Sequence, residues 1–241
     1  MAQQPPTLKA VNLYTWNTQG NFTTGPKGQE LSQMVSGDDP ALVFIQEGGV
    51  NLEGQYNDCI AVAGYAVGAF NERCTNYIVF NSKWPMGSMQ PVVLVNGSGM
   101  ALIGGGIAGR TPAALELGRT LFVSWHSLSS PNNLDTSDLI RTLTRTPYYS
   151  EKYDLIVIGG DFNATPADIE SMIVRMVTDR AQSYFFASIV RCGQPTLKYW
   201  DKEVDFFIYL RKEYEQEVPA VLRQTQASDH DAVQTQMAMM L

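Results

Sequence analysis

Short segments rich in Val, Ile, Leu, Phe and Tyr recur along the chain between turn-forming residues, and this pattern limits the fold more than any other feature. Their length and their β-branched and aromatic content are typical of buried strands. The predicted strands cover residues 10–16, 41–46, 76–80, 91–95, 120–125, 154–158, 204–210 and 232–240.

Helical patterns occur between some of these strands, at residues 29–36, at 136–144 after the candidate cap Asp135, and at 167–177 after Pro166. Strands and helices do not alternate regularly, which favours two packed sheets with helices outside over one doubly wound sheet. With 241 residues, 44% hydrophobic content and no repeat or linker, the sequence predicts a single domain over residues 1–241.

The charge balance restricts how the chain could bind nucleic acid or any other phosphate-bearing molecule. A net charge of -7 argues against binding of nucleic acid through bulk positive charge, so a phosphate would have to be held locally. Part of the acidity is explained if clustered carboxylates bind Mg²⁺ or Ca²⁺. No apolar stretch approaches the roughly 18–20 residues of a membrane span, and the start of the sequence lacks the pattern of a signal peptide.

Three cysteines, Cys59, Cys74 and Cys192, have no C-x-x-C spacing, which argues against a structural zinc site. Two states remain open for them, three thiols or one disulfide with one thiol.

Polar side chains follow several of the apolar runs at the point where a strand should emerge from the core. Asp161 and Asn163 follow the run DLIVIGG and would share one side if the extended conformation continued. Glu47 ends ALVFIQE, and Asn17 ends LYTWN. The alternative for Asp161 and Asn163 is an Asx-turn that satisfies local backbone groups. Carboxylates and amides at strand ends are suited to hold a hard cation and to orient phosphate oxygens and water.

The chain has only two histidines, and both have suggestive neighbours. His126 ends the run TLFVSWH, and His230 follows Asp229 in ASDHDAV. Imidazole is the side chain best suited to proton transfer near neutral pH, although an isolated histidine is more often structural. Beside the carboxylates described above, the two histidines indicate phosphate-ester cleavage.

A glycine-rich stretch, residues 95–109, lacks the G-x-x-x-x-G-K-[ST] pattern of a phosphate-binding loop. It is predicted to be a hairpin or loop leading into Arg110. The guanidinium of Arg110 is a candidate phosphate clamp because it matches phosphate in a bidentate manner, and a solvated loop arginine is the alternative.

Six motifs in order resemble the endonuclease/exonuclease/phosphatase (DNase I-like) superfamily. They are WNTQG (16–20), IQE (45–47), SWH (124–126), GDFN (160–163), VDF (204–206) and SDH (228–230). Within the superfamily the chain most resembles the catalytic B subunits of cytolethal distending toxins, through WNTQG, IQEGG, HSLSS and the Arg110-Thr111-Pro112 segment. The resemblance implies an α+β fold, a four-layer α/β/β/α sandwich of two packed mixed sheets flanked by helices.

The resemblance also implies roles for the residues named above. Glu47 and Asp229 would hold the metal, and Asn17, Arg110 and Asn163 would contact substrate phosphate, with Asn17 also near the ion. The catalytic set would be His126, Asp161, Asp205 and His230. In that set Asp205 orients His230, Asp161 orients or deprotonates the attacking water, and His126 stabilises or protonates the leaving oxygen. Which imidazole is acid and which is base stays open.

The function that the resemblance implies is Mg²⁺-dependent cleavage of DNA phosphodiester bonds, with Ca²⁺ or Mn²⁺ as other candidate ions. It further implies a toxin subunit that is secreted, delivered by partner subunits and active inside a target cell, in the nucleus. Two alternatives stay open, a phosphoinositide phosphatase that uses the same site and an inactive binding or assembly subunit.

Overall fold

The computed structural model describes residues 8–22, 25–49, 54–56, 59–63, 76–85, 89–95, 111–129, 134–177, 185–213 and 219–241. The elements in chain order are β1 (Leu8–Asn17), α1 (Gly25–Val35), β2 (Ala41–Gln46), β3 (Gly54–Tyr56), β4 (Cys59–Ala63), β5 (Tyr77–Asn81), β6 (Gln90–Pro91), β7 (Ala113–Leu117), β8 (Thr120–His126), α2 (Leu134–Arg145), α3 (Pro147–Lys152), β9 (Leu155–Asp161), α4 (Pro166–Val177), β10 (Phe186–Val190), β11 (Asp205–Arg211), β12 (Val221–Arg223) and β13 (Ala232–Met240).

The strands form two mixed sheets. One sheet has the order β12-β13-β1-β2-β5-β4-β3, and the other has the order β10-β11-β9-β8-β7-β6. At the centre of each sheet lies a parallel pair, β1 with β2 and β8 with β9, and their other neighbours run antiparallel. At one edge of each sheet, the C-terminal ends of the parallel strands therefore lie beside the N-terminal ends of their antiparallel neighbours.

The two sheets pack face to face through an apolar core that both supply. The Phe44 ring lies 5.9 Å from that of Phe207 and 6.4 Å from that of Phe122, measured between centroids. Helix α1 covers the outer face of the first sheet through Leu31 and Met34. Helices α2, α3 and α4 cover the outer face of the second sheet. The layers are therefore α/β/β/α, which confirms the predicted fold class.

Side-chain alternation along the strands places the site residues at one end of this core. Val11 and Leu13 of β1 face the opposite sheet, and residues two apart share a face, so Asn17 faces the same way. The same parity turns His126, Asp161 and Asp205 inward, because Phe122, Val157 and Phe207 on their strands belong to the core between the sheets. Each of these strands changes from apolar to polar at the same edge.

Most predicted strands and helices are confirmed within one to four residues at their ends, and 41–46 and 232–240 agree in both bounds. The predicted strand 91–95 is wrong, because the ladder contains only Gln90 and Pro91. After Pro91, the Val92 amide still bonds Ala114 O, but Val95 turns away to the Tyr149 hydroxyl. Strands β3, β4, β7, β10 and β12 and helix α3 were not predicted.

Asp135 is not the residue before α2 but lies inside its first turn, where its carboxylate accepts hydrogen bonds from the Ser127 hydroxyl and the Leu128 amide. Arg110, Cys74 and most of the glycine-rich stretch lie outside the described residues, and Cys192 is a free thiol. Among the helices that the structure describes, none combines the length and the apolar character needed to cross a bilayer.

Candidate active site

Strand register brings three of the predicted site residues side by side. In the second sheet His126 pairs with Asp161 across β8 and β9, and Asp205 pairs with Asp161 across β9 and β11. Close packing between β8 and β9 depends on glycine, because a Cβ on Gly160 would lie 2.0 Å from the carbonyl oxygen of Trp125. The GG dipeptide before Asp161 thus allows the strand to deliver this carboxylate between its neighbours.

Asn17 joins the two sheets at this edge. Its Nδ2 donates to Glu47 Oε1 at 3.1 Å and to Asp161 Oδ2 at 3.0 Å, and its Oδ1 accepts from the Gln19 amide. One buried amide therefore holds two carboxylates from different sheets at a fixed separation. The cost of bringing two negative charges together is partly offset by these hydrogen bonds.

Both histidines flank the same oxygen of Asp161. His126 Nε2 lies 3.7 Å from Asp161 Oδ2 and 3.6 Å from Glu47 Oε1, and His230 Nε2 lies 3.9 Å from Asp161 Oδ2. All three side chains in the Asp161 group are at most 7% exposed. Coulombic interactions are stronger at such a buried site than in water.

His230 is paired with Asp205 through a 2.8 Å contact between Nδ1 and Oδ2. Burial alone would lower the pKa of His230, but Asp205, and to a smaller extent Asp161 and Asp229, more than offset it and raise the pKa to about 10. In the metal-free protein this imidazole is therefore a cation at neutral pH, with Nε2 directed toward Asp161 and Asp229.

The hydroxyls of Ser228 and Thr225 hold the loop that carries His230 through hydrogen bonds to backbone groups. Ser228 Oγ donates to the Asn17 carbonyl at 2.8 Å and accepts the His230 amide, and Thr225 Oγ1 donates to the His230 carbonyl at 2.7 Å. The buried Thr196 hydroxyl accepts the backbone amides of Val204 and Asp205 at the start of β11. Thr196 thereby fixes the position of Asp205, and no sequence motif marked it.

Below the site, a buried polar bridge crosses the core between the sheets. Gln46 Nε2 donates to Ser124 Oγ at 3.0 Å, and Ser124 Oγ donates to the Ile45 carbonyl at 3.0 Å. Gln46 precedes Glu47, and Ser124 lies two residues before His126. The bridge therefore fixes the spacing between a carboxylate of one sheet and an imidazole of the other.

Backbone conformations of positive φ cluster at this edge. Among the described non-glycine residues, Gln19, Glu47 and Asn163 adopt φ values of 48°, 52° and 49°, and Asp201 is the fourth. Such conformations cost free energy and persist when surrounding contacts impose them. Glu47 is held this way at the end of β2, with Gly48 packed so closely that a Cβ there would lie 2.4 Å from the Tyr77 ring.

Asn163 does not continue the extended strand that would have placed it beside Asp161. Its amide instead donates to Asp161 Oδ1 at 2.8 Å in an Asx-turn, and its Nδ2 donates to the Ser127 carbonyl at 2.8 Å. The positive φ of Asn163 explains the difference, because the chain turns sharply after β9. Both Asn163 and Asp161 still lie at the same edge of the sandwich.

The acidic side chains fit a divalent cation. Asp161, Asp205 and His230 each offer one potential ligand atom, and these atoms all lie within 4.8 Å of one another. Asp205 and Asp229 each bury one oxygen, Oδ1, that has no hydrogen-bond partner among the described residues. Hard cations such as Mg²⁺ and Ca²⁺ take oxygen ligands, and the protonated His230 is a poor ligand, so the carboxylates are the better candidates.

Comparison with known proteins assigns this arrangement to a family. The profile of the Endonuclease/Exonuclease/phosphatase family matches residues 14–230. No curated protein sequence matches the chain.

Solved structures share the fold at low sequence identity. The cytolethal distending toxin of Haemophilus ducreyi has a TM-score of 0.67 and 19% identity over 92% of this chain and 96% of its own. The inositol polyphosphate 5-phosphatase domain of SpSynaptojanin, in complex with inositol (1,4)-bisphosphate and calcium ion, has a TM-score of 0.58 and 13% identity over 97% and 84%. Cimex nitrophorin, in its ferrous NO complex, has a TM-score of 0.57 and 10% identity over 98% and 100%.

Proposed function

Because the chain belongs to the Endonuclease/Exonuclease/phosphatase family, whose members are hydrolases of phosphate esters, we propose that it is a Mg²⁺-dependent endonuclease that cleaves DNA phosphodiester bonds. One observation carries the proposal, the convergence on Asp161 Oδ2 of the Asn17 amide and both imidazoles. A carboxylate between two imidazoles and next to acidic ligand candidates is suited to orient an attacking water.

The two imidazoles have different roles in this proposal. His230, kept cationic by Asp205, stabilises the negative charge that grows on the attacked phosphate. His126, between Glu47 and Asp161, stabilises or protonates the leaving oxygen. Asn163 and Arg110 are proposed to contact phosphate oxygens, the former beside Asp161 and the latter from sequence alone.

Glu47 and Asp229 are the proposed metal ligands, with Asn17 holding Glu47 and Asp161 in place. Mg²⁺ is the proposed ion, with Ca²⁺ or Mn²⁺ as substitutes, and when bound it would polarise a phosphoryl oxygen and offset charge in the transition state. Asn17 donates to Oδ2 of Asp161, and the Asn163 amide donates to Oδ1. These two hydrogen bonds fix the orientation of the Asp161 carboxylate.

The test is nicking of supercoiled plasmid in Mg²⁺ by the wild type and by His126→Ala, each beside an EDTA control. We expect nicking by the wild type only with the metal, and a loss of about 10²- to 10⁴-fold in the variant, the usual contribution of a general acid or base. Intact plasmid with the wild type would contradict the nuclease proposal.

A phosphoinositide phosphatase is the second candidate for the same site. The fold shared with a 5-phosphatase domain that binds an inositol bisphosphate supports it, and the net charge of -7 is unfavourable for a large DNA interface. Release of phosphate from a phosphoinositide by a wild type that leaves plasmid intact would select this candidate.

A third candidate, a binding or assembly subunit without activity, is supported by the occurrence of the fold in a nitrophorin. It requires that both assays be blank and that calorimetry detect no Mg²⁺ binding.

From the likeness to cytolethal distending toxin we further propose secretion, delivery by partner subunits, and DNA damage in the nucleus of a target cell. Co-purification with toxin-like partner subunits, and nuclear DNA breaks in treated cells, would test this setting.

A further inference from the structure

The loop between β10 and β11 presents two large aromatic side chains to solvent. Tyr199 is 81% exposed and Trp200 is 68% exposed, more than any other described large hydrophobic residue. The other three tryptophans, Trp16, Trp84 and Trp125, are at most 4% exposed. An exposed Tyr-Trp pair costs solvation free energy, which favours a role in recognition.

This presentation is built into the loop by hydrogen bonds. The amides of Thr196 and Leu197 both bond the Lys202 carbonyl, at 2.9 and 3.0 Å, and the Trp200 amide bonds the Leu197 carbonyl at 3.3 Å. The turn is therefore a closed hairpin, with Tyr199, Trp200 and Asp201 at its tip. Rings on such a turn are held out in the absence of a ligand, so little ordering entropy is lost when one binds.

Lys198 fastens the hairpin to the loop of His230. Its ammonium lies 2.5 Å from each of the carbonyl oxygens of Thr225 and Ser228 and 3.2 Å from Asp231 Oδ1. Its backbone amide donates to the Asp229 carbonyl at 2.9 Å. The base of the hairpin is thus continuous with the proposed metal ligand Asp229.

The aromatic tip therefore lies beside the proposed site of phosphodiester cleavage. Leu197 forms a bridge pair with His230, and the Asp231 amide donates to the Thr196 carbonyl at 2.8 Å. Tyr199 and Trp200 follow Leu197 by two and three residues. At no more than about 3.3–3.6 Å per residue, their Cα atoms lie within about 10 Å of that of Leu197, which pairs with His230.

We propose that Tyr199 and Trp200 form a stacking platform for unpaired bases that flank the phosphate in the site. The inference rests on the proposed nuclease function and refines its substrate to single-stranded or locally opened DNA. Every base has a π-face, so aromatic platforms bind single strands without sequence preference. Because a net charge of -7 does not attract the phosphate backbone, stacking is a more favourable source of affinity for this chain than bulk charge.

The charges at the tip favour a nucleic acid strand over a membrane surface. Lys202 Nζ lies 5.8 Å from the Trp200 ring centroid, where it can contact a phosphate while one ring face remains for a base. Asp201 is exposed at the same tip, and the ammonium of Lys198 is engaged within the protein. Adsorption to anionic lipid usually requires about 4–8 clustered basic residues, which this tip does not supply.

The experiment measures binding in Mg²⁺ to a phosphorothioate oligothymidylate, which resists cleavage, and to a duplex of the same length. Acrylamide quenching of tryptophan fluorescence reports on Trp200 in the wild type, because the other tryptophans are buried, and fluorescence anisotropy of the dye-labelled oligonucleotide gives the affinity of every variant. We expect the single strand to shield Trp200 and to bind more tightly than the duplex. Tyr199→Ala/Trp200→Ala should lose about tenfold or more in affinity, and Tyr199→Phe/Trp200→Phe should retain most of it.

Phe186→Ala is the matched control, since Phe186 is also exposed, at 55%, but pairs with Arg211 at the opposite end of the second sheet. It should bind the single strand as the wild type does, and thermal melting should show all variants folded. Unchanged affinity in the double alanine variant would overturn the inference. So would shielding of Trp200 by phosphatidylcholine vesicles containing phosphatidylinositol bisphosphate but not by the single strand.

Failure of this inference and failure of the proposed function give different results. If the wild type nicks plasmid but the double alanine variant binds single strands normally, the site functions and the platform is wrong. If the single strand shields Trp200 of the wild type but the wild type never cleaves DNA, the stacking platform is supported and the proposed nuclease function is wrong.

Discussion

Strand β9 has a carboxylate at each end, Asp154 immediately before it and Asp161 as its last residue, and the surroundings of these two carboxylates differ. At one end Asp154 is paired with Arg119, whose second nitrogen lies 2.8 Å away, and with Lys212 at 3.2 Å. At the other end Asp161 and Asp205 have two histidines, an amide and further carboxylates as neighbours.

The difference shows how a fold separates stability from function. Asp154 is about half exposed and neutralised by the protein itself, so its pKa is lowered to about 2, first by the Arg119 hydrogen bond and then by Lys212. At the opposite end Asp161 and Asp205 are buried, and one oxygen each of Asp205 and Asp229 lacks a hydrogen-bond partner within the described part of the chain. Such an end is suited to a divalent cation from solution, and the following predictions test that contrast.

The largest expected difference between the ends is in activity. Asp161→Asn should lower plasmid nicking by about 10³-fold, because the variant loses the charge that both imidazoles face. Asp154→Asn, an identical substitution at the other end, should nick at the wild-type rate. Equal losses in the two variants would mean that the contrast is one of folding alone.

A smaller loss is expected at Asp205, which acts through His230. Asp205→Asn should lower nicking by about 10- to 100-fold, as for other groups that orient an essential side chain. In metal-free protein the pKa of His230 should fall from about 10, and proton NMR can follow it because the chain has only two histidines. A His230 pKa that did not change in the variant would contradict the pairing.

The same pair gives the pH dependence of stability its sign. The pKa of His230 is raised on folding, so the contribution of the ion pair to the free energy of unfolding is complete below about pH 6.5 and is lost as the pH rises toward 10. In EDTA, the gap in melting temperature between the wild type and Asp205→Asn should therefore narrow from pH 6 to pH 9. A gap that widened would reverse the assignment.

Divalent cations should stabilise only a protein whose acidic end is intact. A ligand at about 100 times its Kd stabilises the folded state by about 2.7 kcal/mol, which for a chain of this size raises Tm by about 5–10 °C. Mg²⁺ or Mn²⁺ should raise the Tm of the wild type and of Asp154→Asn by this amount. Glu47→Gln, which lacks a proposed metal ligand, should show little of it in differential scanning calorimetry.

The smallest effect is expected from the exposed ion pairs of Asp154. Asp154→Asn should lower Tm by no more than about 2 °C, since solvent screens exposed pairs. Because the pKa of Asp154 is lowered, its contribution is present above about pH 4 and is lost as the pH falls toward 2. The melting temperatures of the wild type and of Asp154→Asn should therefore differ at pH 7 and become equal at pH 2.5.

Sequence patterns indicated the site residues because four of the six motifs end an apolar strand and the other two, VDF and SDH, lie at or just before the start of one. Parity along a buried strand decides which way its last residue faces, so Asn17, Asp161 and Asp205 could be expected to meet at one edge once two sheets were predicted. The order of motifs predicted the family, and the family profile confirms it.

Contacts between distant segments could not be predicted in the same way. Gln46 and Ser124 are 78 residues apart and pair across the core, and Thr196 fixes Asp205 through its hydroxyl with no local pattern. The left-handed turn at Asn163 overrode the extended conformation because Asp161 accepts its amide. Short strands such as β7 and β10 were missed because β10 is partly exposed and both lack long apolar runs.

Paramagnetic broadening by Mn²⁺ tests most directly the claim that the acidic end is a cation site. Both histidines lie at that end, so substoichiometric Mn²⁺ should broaden the imidazole C–H signals of His126 and His230 in the wild type and in Asp154→Asn. The broadening should be largely absent in Glu47→Gln, which lacks a proposed metal ligand, and should be reversed by excess Mg²⁺. Sharp signals from both histidines at saturating Mn²⁺ in the wild type would contradict a divalent-cation site at this end of the sandwich.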